Sequence, residues 1–402
     1  MASNGIRDRV AVIGMGCTTF GEHWSRSADD MLVDATGDAV SSAGVALEDV
    51  DAFWLGTMGS GNSGLTLSKP LKLDYRPVSR VENFCATGSE AFRNACYAVA
   101  SGAYDVVMAI GVEKLKDSGF SGLDIPAPPN DGTGGMGEIS APAMFSLLAP
   151  AYAKKYGVSP EALKEVMTRI AWKNHANGAR NPRAQFRKEV PKETIQNAPL
   201  IAGQLGIFDC SGVSDGAAAA IIVRAEDAHR YTERPMYVKG LSFVAGPGAG
   251  LLDPAYDYTT FPEVVAAARD AYAQAGVRDP RSELAMAEVH DCFTPTELVL
   301  MEDLGFSERG AGWEDVLSGT FDLGGELPVN PDGGLKAFGH PIGASGLRML
   351  FECWLQLRGE APAERTIASV AAGRKLALTH NLGGGPGECV SFVSVVGSEP
   401  TV

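Results

Sequence analysis

The chain has 402 residues, of which 45% are apolar and 21% charged, so it can bury a large core divided into two or three packed units. Its formal net charge of −15 argues against non-specific nucleic-acid binding, which needs a basic face to neutralise phosphates. Its apolar runs are much shorter than the roughly 20 residues that cross a bilayer, and Arg7, Asp8 and Arg9 interrupt the N-terminal stretch where a secretion signal would lie. We therefore expect a cytoplasmic protein with no membrane span.

The cysteines form an odd and scattered set, which fits neither a disulfide framework nor a Cys-x-x-Cys zinc site. We expect reduced thiols at all seven positions: Cys17, Cys85, Cys96, Cys210, Cys292, Cys353 and Cys389.

An alternation of strands and helices begins near the N-terminus. Residues 9–14 predict a buried strand, and Ser27 is placed to cap a helix with apolar residues on one face. Residues 51–56 and 105–111 predict further strands, with a helix from about residue 85 to residue 101 between them.

The middle of the chain interrupts this alternation. Residues 118–137 are irregular and rich in Pro and Gly, a helical stretch follows at about 142–176, and a strand returns at 217–223. We interpret residues 119–205 as an inserted loop domain.

The same order of elements then returns from Met236, which indicates an internal duplication. We assign residues 1–118 and 206–226 to an N-terminal half and residues 227–402 to a C-terminal half. Strands that alternate with helices predict an α/β fold with mainly parallel sheets covered by helices on both faces. The predicted elements of the second half are strands at 236–243, 285–290, 375–381 and 388–396, and helices at 262–275 and from about Ile342.

The duplication gives Cys85 and His340 corresponding places, each opening the long helix that follows the second predicted strand of its half. The two side chains could therefore meet at a pseudo-twofold axis. A helix N-terminus carries a partial positive charge that favours a thiolate, and the small residues at 83–89 would let a bulky thioester approach the sulfur. The alternative is a buried core cysteine.

His340 lies in a turn fixed by glycines and a proline, residues 339–346, in which it is the only titratable side chain. A neutral imidazole can take a thiol proton and return it. A phosphate-binding loop is the competing interpretation, but neither Gly-Lys-Ser/Thr nor Gly-x-Gly-x-x-Gly is present here.

Two further segments carry candidate chemistry. His290 and Cys292 end an apolar strand and, being two residues apart, could face one pocket. A zinc pair is the alternative, but no further ligand follows at a plausible spacing, so we predict no metal. The glycine-rich residues 380–387 lie between two strands and could supply backbone N–H groups to an oxyanion hole, or form only a β-turn.

Taken together, these motifs resemble the thiolase superfamily over essentially the whole chain. The order and spacing of Cys-Ala-Thr-Gly-Ser, His-Asp-Cys-Phe, Gly-His-Pro and His-Asn-x-Gly are similar to those of sterol-carrier-protein-type and archaeal-type acetoacetyl-CoA thiolases. Residues 181–186 and 209–217 look like further family segments. The resemblance implies a thiolase fold: two duplicated halves with mixed five-stranded sheets and helices on both faces, plus the inserted loop domain, which would carry most of the CoA site.

The resemblance also implies roles for individual residues. Cys85 would be acylated, and His340 would activate it and help to bind the thioester oxygen of the second substrate. His290 would help to hold that oxygen through a water, and the amides of Cys85 and Gly383 would stabilise the oxyanion formed at the acyl-enzyme.

The chain departs from the commonest thiolase pattern in two places. His-Asp-Cys-Phe at residues 290–293 replaces the usual Asn-Glu-Ala-Phe, and Asn381 stands where a second catalytic cysteine is usual. Cys292 is therefore our candidate for the missing acid and base.

Basic residues of the inserted segment could hold the phosphates of CoA. The candidates are Arg183, Arg187 and Lys188, although a solvated surface loop would have the same charge pattern. CoA thioesters would be substrates, no other cofactor is expected, and the family resemblance implies a homodimer or tetramer.

The sequence thus predicts a thiolase that cleaves or forms 3-oxoacyl-CoA through an acyl-cysteine intermediate. One alternative is a thiolase-like lipid-transfer protein that acts as an aldolase on steroid side-chain CoA thioesters, with or without a small partner carrying an oligonucleotide-binding-like domain. The other is a lipid-binding scaffold without catalysis, which the complete set of Cys85, His290 and His340 disfavours.

Overall fold

The computed structural model describes residues 5–119, 124–125, 139–248, 250 and 253–401. Most of the predicted irregular stretch at 118–137 therefore lies outside the described residues. None of the helices in the described ranges is long and apolar enough to cross a membrane.

The described strands begin close to the N-terminus and end close to the C-terminus. They are β1 (Val10–Cys17), β2 (Ala52–Gly56), β3 (Val78–Val81), β4 (Val106–Glu113), β5 (Asp124–Ile125), β6 (Ile139–Ser140), β7 (Leu200–Ala202), β8 (Leu205–Gly206), β9 (Gly216–Arg224), β10 (Met236–Ala245), β11 (Leu284–Glu288), β12 (Leu376–Gly385) and β13 (Glu388–Gly397).

Helices separate most of these strands. They are α1 (Ala28–Ala43), α2 (Leu65–Leu71), α3 (Thr87–Ala100), α4 (Ala141–Phe145), α5 (Leu148–Tyr156), α6 (Pro160–Ala179), α7 (Lys192–Gln196), α8 (Pro262–Ala275), α9 (Pro280–Glu283), α10 (Thr294–Asp303), α11 (Gly312–Ser318), α12 (Gly334–Ala337), α13 (Ile342–Leu357) and α14 (Ala368–Ala371).

One mixed sheet runs through both halves in the order β11-β12-β13-β10-β1-β9-β4-β2-β3. The halves join where β1 and β10 pair antiparallel at only two positions, Ala11 with Tyr237 and Val12 with Met236. In each half the inner strands are antiparallel and the outer strands parallel. This repeated order confirms the predicted duplication.

The two halves differ in their outermost strand. The first half has the expected five strands, ending with β3 beside β2. The second half has four, and the place of its fifth strand is taken by a single parallel bridge between Ala287 and Val329. The reason is local, because residues 319–328 form a run of turns and bends with no regular strand pairing.

The helices form layers around this sheet. Helix α1 packs on β1 and β9 on the outer face of the first half, and α8 packs on β10 and β13 on the outer face of the second. Helices α3 and α13 lie between the halves: α13 contacts β4, β9 and β12, and Ser89 of α3 bonds Asn381 of β12. The helices that follow Cys85 and His340 are therefore neighbours in the buried central layer.

Close backbone contact lets these two helices approach each other at their first turns. A Cβ atom added to Gly88 would lie 2.7 Å from the carbonyl oxygen of Gly343, and one added to Gly346 would lie 2.5 Å from the amide nitrogen of Ser89. Only glycine leaves room for this contact.

Local signals explain the ends of several helices. Ser27 caps α1 as predicted: its hydroxyl accepts a hydrogen bond from the Asp30 amide at 3.2 Å, and the Asp30 carboxylate accepts one from the Ser27 amide at 2.8 Å. The predicted helix at 142–176 is wrong as a single element. It is divided into α4, α5 and α6. The break between α5 and α6 arises because Gly157 adopts a left-handed conformation and Pro160 starts a new helix.

Within the proposed insertion, α6 packs on the second half, where it contacts α10, α11 and α12. These last three helices were not predicted from the sequence. Strand β3 was not predicted either, so Cys85 follows the third strand of its half and not the second.

Candidate active site

Cys85 lies in a tight turn between β3 and α3. Phe84, which precedes it, has a left-handed backbone with φ of 49°, a conformation that is unfavourable for a residue with a side chain. Thr87 holds the turn, because its hydroxyl accepts a hydrogen bond from the Asn83 amide at 2.9 Å and donates one to the Phe84 carbonyl at 2.6 Å. The turn thus sets the thiol at the start of α3.

Two histidines meet Cys85 in the buried interior. Cys85, His290 and His340 each place one sulfur or ring nitrogen within 4.8 Å of the others. The two rings are 5.4 Å apart between centroids and nearly perpendicular, at 83°. The structure therefore brings three of the proposed catalytic residues into one cluster, here called the catalytic trio.

His340 is oriented by two serines. Its Nδ1 lies 2.7 Å from Ser345 Oγ, and its backbone amide donates to Ser214 Oγ at 3.0 Å. Its Nε2 is buried and has no hydrogen-bond partner among the described residues. Burial, reinforced by the positive charge of Arg348, lowers the pKa of His340 to about 3. The ring is therefore neutral near pH 7.

His290 lies beyond the end of its strand, because β11 stops at Glu288 and not at residue 290 as predicted. The amide of Val289 instead donates to the side chain of Asn330 at 2.8 Å. Asp291 then anchors the turn, since its carboxylate accepts from the Leu335 amide at 2.6 Å. Burial is the main cause that lowers the pKa of His290 well below its ordinary value, followed by the neighbouring His340.

The expectation that a helix start favours the Cys85 thiolate is wrong for the unliganded site. Burial raises the pKa of the Cys85 thiol to about 12, with a further contribution from the negative charge of Glu82. The helix itself begins only at Thr87. The resting site therefore holds a neutral thiol beside two neutral imidazoles, and proton transfer must accompany attack on the substrate.

Cys292 is buried near the trio, with its sulfur 3.9 Å from Thr296 Oγ1. Burial raises the pKa of Cys292 well above its ordinary value, and the proximity of Cys85 acts in the same direction. Cys292 is therefore a protonated thiol at neutral pH.

The glycine-rich strand β12 closes the other side of the site. A Cβ atom on Gly383 would lie 2.4 Å from the carbonyl oxygen of Asn83 and 3.2 Å from Phe84 Cβ, so this glycine packs directly against the Cys85 turn. Asn381 faces the trio from the same strand, with its Nδ2 3.5 Å from His290 Nδ1.

A cavity of about 750 Å³ opens beside the site. Its wall contacts the site at two points: the Ser211 amide donates to the Cys292 carbonyl at 2.8 Å, and Gln185 accepts a hydrogen bond from Ser214, which also bonds His340. Its lining includes apolar Phe186, Val190, Ile201, Ile207 and Phe208 and the basic residues Arg187, Lys188 and Lys336.

Arg183 does not line this cavity, unlike Arg187 and Lys188, with which the sequence grouped it. Its guanidinium donates to the carbonyl of Cys17 and stacks at 5.3 Å on the ring of Phe351. Arg183 lines a separate cavity of about 230 Å³. A CoA contact at Arg183 stays a prediction.

Several residues that position the site were missed from the sequence. Ser89, Ser214, Ser345 and Asp291 all contact the proposed catalytic groups or their turns, yet small polar residues have no chemical signature of their own. The sequence marks these residues only by their position within or beside the thiolase-like motifs.

The catalytic trio has a donor set that also suits zinc, one thiol and two imidazoles. This set differs from the zinc pair of His290 and Cys292 that the sequence suggested as an alternative. The same set serves cysteine acyl transfer, in which an imidazole accepts the thiol proton. That the enzyme works without metal stays a prediction.

Family comparisons match both halves of the chain. The thiolase N-terminal domain matches residues 10–226, and the thiolase C-terminal domain-like family matches residues 252–393. The chain is 37% identical to an acetyl-CoA acetyltransferase of Methanothermobacter thermautotrophicus over 381 residues, which covers 93% of this chain and 96% of the relative. It is 31% identical to sterol carrier protein 2 of Bos taurus, over 94% of this chain and 70% of that protein.

Solved structures share the fold. The aldolase Ltp2-ChsH2(DUF35) superposes with a TM-score of 0.79 at 24% identity over 98% of both chains. A monomeric SCP2-thiolase-like protein of Mycobacterium smegmatis superposes with a TM-score of 0.71 at 18% identity, over 100% of this chain and 79% of that one. With both halves of its sequence matched by thiolase families, the chain belongs to the thiolase family.

Proposed function

We propose that this protein is an acyltransferase of the acetyl-CoA acetyltransferase type, which cleaves 3-oxoacyl-CoA with CoA, or runs the reverse Claisen condensation. The observation that carries the proposal is the buried cluster of Cys85, His290 and His340. Two archaeal relatives support the proposal. Both are named acetyl-CoA acetyltransferase, and they are 37% and 34% identical to this chain over nearly its whole length.

In the cleavage direction the first step forms an acyl-enzyme. The Cys85 proton moves to Nε2 of His340 as the sulfur adds to the 3-oxo carbon. The bond between C2 and C3 then breaks, and its electron pair forms the enolate of acetyl-CoA. Because the resting pKa of the thiol is high and that of the imidazole low, the two protonation changes occur together with bond formation.

Cys292 is our proposed acid for this step. Its thiol gives a proton to C2 of the enolate, releasing acetyl-CoA. A high pKa suits this role, because an acid that protonates carbon must remain protonated until the enolate forms. A substrate with a methyl branch at C2 would give propionyl-CoA in place of acetyl-CoA.

The second step restores the enzyme. The thiol of incoming CoA gives its proton to the Cys292 thiolate, and its sulfur attacks the acyl carbon. The bond from that carbon to Cys85 breaks, and the Cys85 sulfur recovers its proton from His340. Each proton lost in the first step is thus returned.

Two groups of donors are proposed for the negative oxygens. The backbone amides of Cys85 and Gly383 would hold the oxygen formed at the acyl carbon, and this pairing is supported by the direct packing of Gly383 on the Cys85 turn. His290 and His340 would hold the thioester oxygen of the enolate.

We assign CoA to the 750 Å³ cavity, most of whose lining belongs to the insertion proposed at residues 119–205. Arg187 and Lys188 would bind its phosphates. All proposed catalytic groups come from the chain, so we expect no cofactor besides CoA itself. We also expect a cytoplasmic location and a homodimer or tetramer.

Acyl trapping tests the proposal. Incubation with labelled acetoacetyl-CoA or acetyl-CoA, followed by peptide mapping, should place the acyl group on Cys85. Cys85→Ala should lose the label and lower turnover by several decades. Cys96→Ala changes a buried cysteine on the helix that follows Cys85; it is the matched control and should keep both. Label on Cys292 alone, or turnover in Cys85→Ala, would contradict the assignment.

Aldol cleavage of a steroid side-chain CoA thioester is a second candidate. It is favoured by the likeness to the Ltp2-ChsH2(DUF35) aldolase, whose name includes a second component, and by the sterol carrier protein 2 relatives. One form of this candidate includes a small partner with an oligonucleotide-binding-like domain. A substrate panel run with the protein alone separates the two, because thiolysis without a partner favours the first candidate. Absence of turnover on every substrate and of acyl-Cys85 would favour a lipid-binding scaffold.

A further inference from the structure

We propose that Ser345 and Asn381 hold the two histidines of the catalytic trio in opposite tautomers, so that His340 presents a lone pair at Nε2 and His290 presents an N–H at Nε2. Asn381 and Ser345 are then positioning residues. The inference rests on the function proposed above for its catalytic meaning, although the tautomers themselves are a property of the resting protein.

The tautomer of His340 follows from the single proton of the Ser345 hydroxyl. Ser345 Oγ lies 3.1 Å from the carbonyl oxygen of Pro341, and we assign the hydroxyl proton to this contact. It also lies 2.7 Å from His340 Nδ1 and must accept there. Nδ1 of His340 therefore carries the ring proton, and its unpartnered Nε2 is free to take a proton from Cys85.

At His290 the side chain beside Nδ1 is a hydrogen-bond donor and not an acceptor. Nδ2 of Asn381 lies 3.5 Å from Nδ1 of His290, and an amide nitrogen can only donate. The oxygen of the same amide is already bonded by the hydroxyl of Ser89, which turns the NH₂ group toward the ring. Nδ1 of His290 is therefore an acceptor, and its proton lies on Nε2.

Burial makes these tautomers persistent. Both rings have pKa values far below neutrality, chiefly because burial disfavours the imidazolium. Each ring consequently carries one proton at pH 7, and the hydrogen bond to Nδ1 decides which nitrogen holds it. Asn381 and Ser89 come from β12 and α3, so the contact that orients His290 joins the two halves of the fold.

Opposite tautomers assign the two imidazoles to different tasks. His340 is a base toward Cys85, whereas His290 is a hydrogen-bond donor toward the negative oxygen of the enolate. If His290 presented a lone pair at Nε2, the enolate oxygen would face an acceptor there, and His340, protonated by Cys85, would be its only imidazole donor. Asn381 and His290 both depart from the common thiolase pattern. The two departures fit each other, because the Asn381 amide donates to Nδ1 of His290 and so keeps the proton of that ring on Nε2.

Nitrogen NMR of the protein labelled with ¹⁵N-histidine tests the tautomers without any turnover. Spectra of His290→Gln and His340→Gln assign the two rings. We expect the proton on Nε2 of His290 and on Nδ1 of His340 at pH 7. A proton on Nδ1 of His290, or on Nε2 of His340, would overturn the proposal whether or not the enzyme is a thiolase.

Asn381→Asp tests the catalytic consequence, because a carboxylate of the same shape can only accept. His290 should shift its proton to Nδ1 while His340 is unchanged. Exchange of the α-protons of acetyl-CoA with deuterated water should fall by about 10²-fold or more, as for loss of one oxyanion donor, whereas acylation of Cys85 should stay within about threefold. A reversed tautomer with undiminished exchange would overturn the assigned role of His290.

Asn381→Leu separates tautomer control from packing. It removes both the donor and the acceptor, so His290 should populate both tautomers and exchange should fall less than in Asn381→Asp. Equal losses in the two variants, with equal losses in Cys85 acylation, would show that Asn381 only fills space and would contradict the proposal.

Discussion

At the scale of single residues, the resting state of Cys85 is decided by the balance between burial and the helix end. Raising the pKa of the thiol from 9.0 to about 12 disfavours the thiolate by roughly 4 kcal/mol. A charge at a helix terminus gains only about 0.3–2 kcal/mol. Burial therefore prevails, and the nucleophile is formed only when substrate and His340 are both in place.

The neutral state of the Cys85 thiol and the two imidazoles also determines how the catalytic trio responds to metal ions. We expect full activity after exhaustive dialysis against a chelator, because every proposed proton transfer uses protein groups. Added Zn²⁺ should inhibit, since a thiol and two neutral imidazoles within 4.8 Å can close around the ion. Activity assays with and without zinc, followed by chelator rescue, measure both effects.

Cys85→Ala provides the control for this metal prediction. It should bind zinc more weakly in a competition assay because one of the three ligands is lost. Activity that disappears with the chelator and returns only with stoichiometric metal would contradict the metal-free mechanism.

At the scale of elements, the site depends on how closely the first turns of α3 and α13 approach. Gly88→Ala would place a Cβ atom 2.7 Å from the carbonyl oxygen of Gly343, so the two helix ends would have to move apart. We expect at least a tenfold loss of Cys85 acylation, with destabilisation of about 1–3 kcal/mol from overpacking. Stopped-flow acylation and urea unfolding measure the two effects.

Gly37→Ala is the matched control, since a Cβ atom at that position in α1 meets nothing within 4 Å. It should leave acylation unchanged and stabilise the protein slightly, because alanine favours helix more than glycine does. If Gly88→Ala acylates as fast as Gly37→Ala, the glycine contact does not set the distance between Cys85 and His340.

The elements that could be predicted from the sequence are those with a strong local pattern. The predicted helix at 262–275 coincides with α8 (Pro262–Ala275), because a proline starts it and Gly276 ends it. The short edge strand β3 was missed because Val78-Ser79-Arg80-Val81 shows no clear alternation. Helix α10 was missed because all its residues are buried, which leaves no polar face to mark a period.

The candidate site was predictable to a similar degree. Cys85, His290 and His340 stood in recognisable motifs, so their convergence could be anticipated. The tautomers of the histidines could not be, because Ser89 and Asn381 meet only when α3 packs on β12. The pKa values were missed for the same reason, since burial at the centre of two halves depends on the complete fold.

At the scale of the whole molecule, the interior buries ionisable groups whose effects on acid stability oppose one another. Burial raises the pKa of Asp291 to about 7 and of Asp303 to about 6, so the folded chain holds these protons more tightly than the unfolded chain does. These carboxyl groups stabilise the fold as the pH falls. Buried histidines act in the opposite direction.

His380 isolates the histidine contribution, because it is fully buried and neither ring nitrogen has a partner among the described residues. Burial lowers its pKa from 6.5 to about 3. Between these values the unfolded chain binds a proton that the folded chain does not, so stability must fall as the pH drops through this window. From pH 7 to pH 5 the loss from one such group is about 2 kcal/mol.

His380→Leu should therefore lose less stability than the parent over that interval, by about 2 kcal/mol. Urea unfolding at each pH gives the free energy of unfolding, and its slope against pH is compared between the variant and the parent. The buried carboxyl groups are the same in both proteins, so their contribution to the slope cancels. His229→Gln alters an exposed histidine and serves as the control, with the slope of the parent. If His380→Leu and the parent lose equal stability from pH 7 to pH 5, His380 is protonated in the native state, and its burial excludes the imidazolium less strongly than the structure indicates.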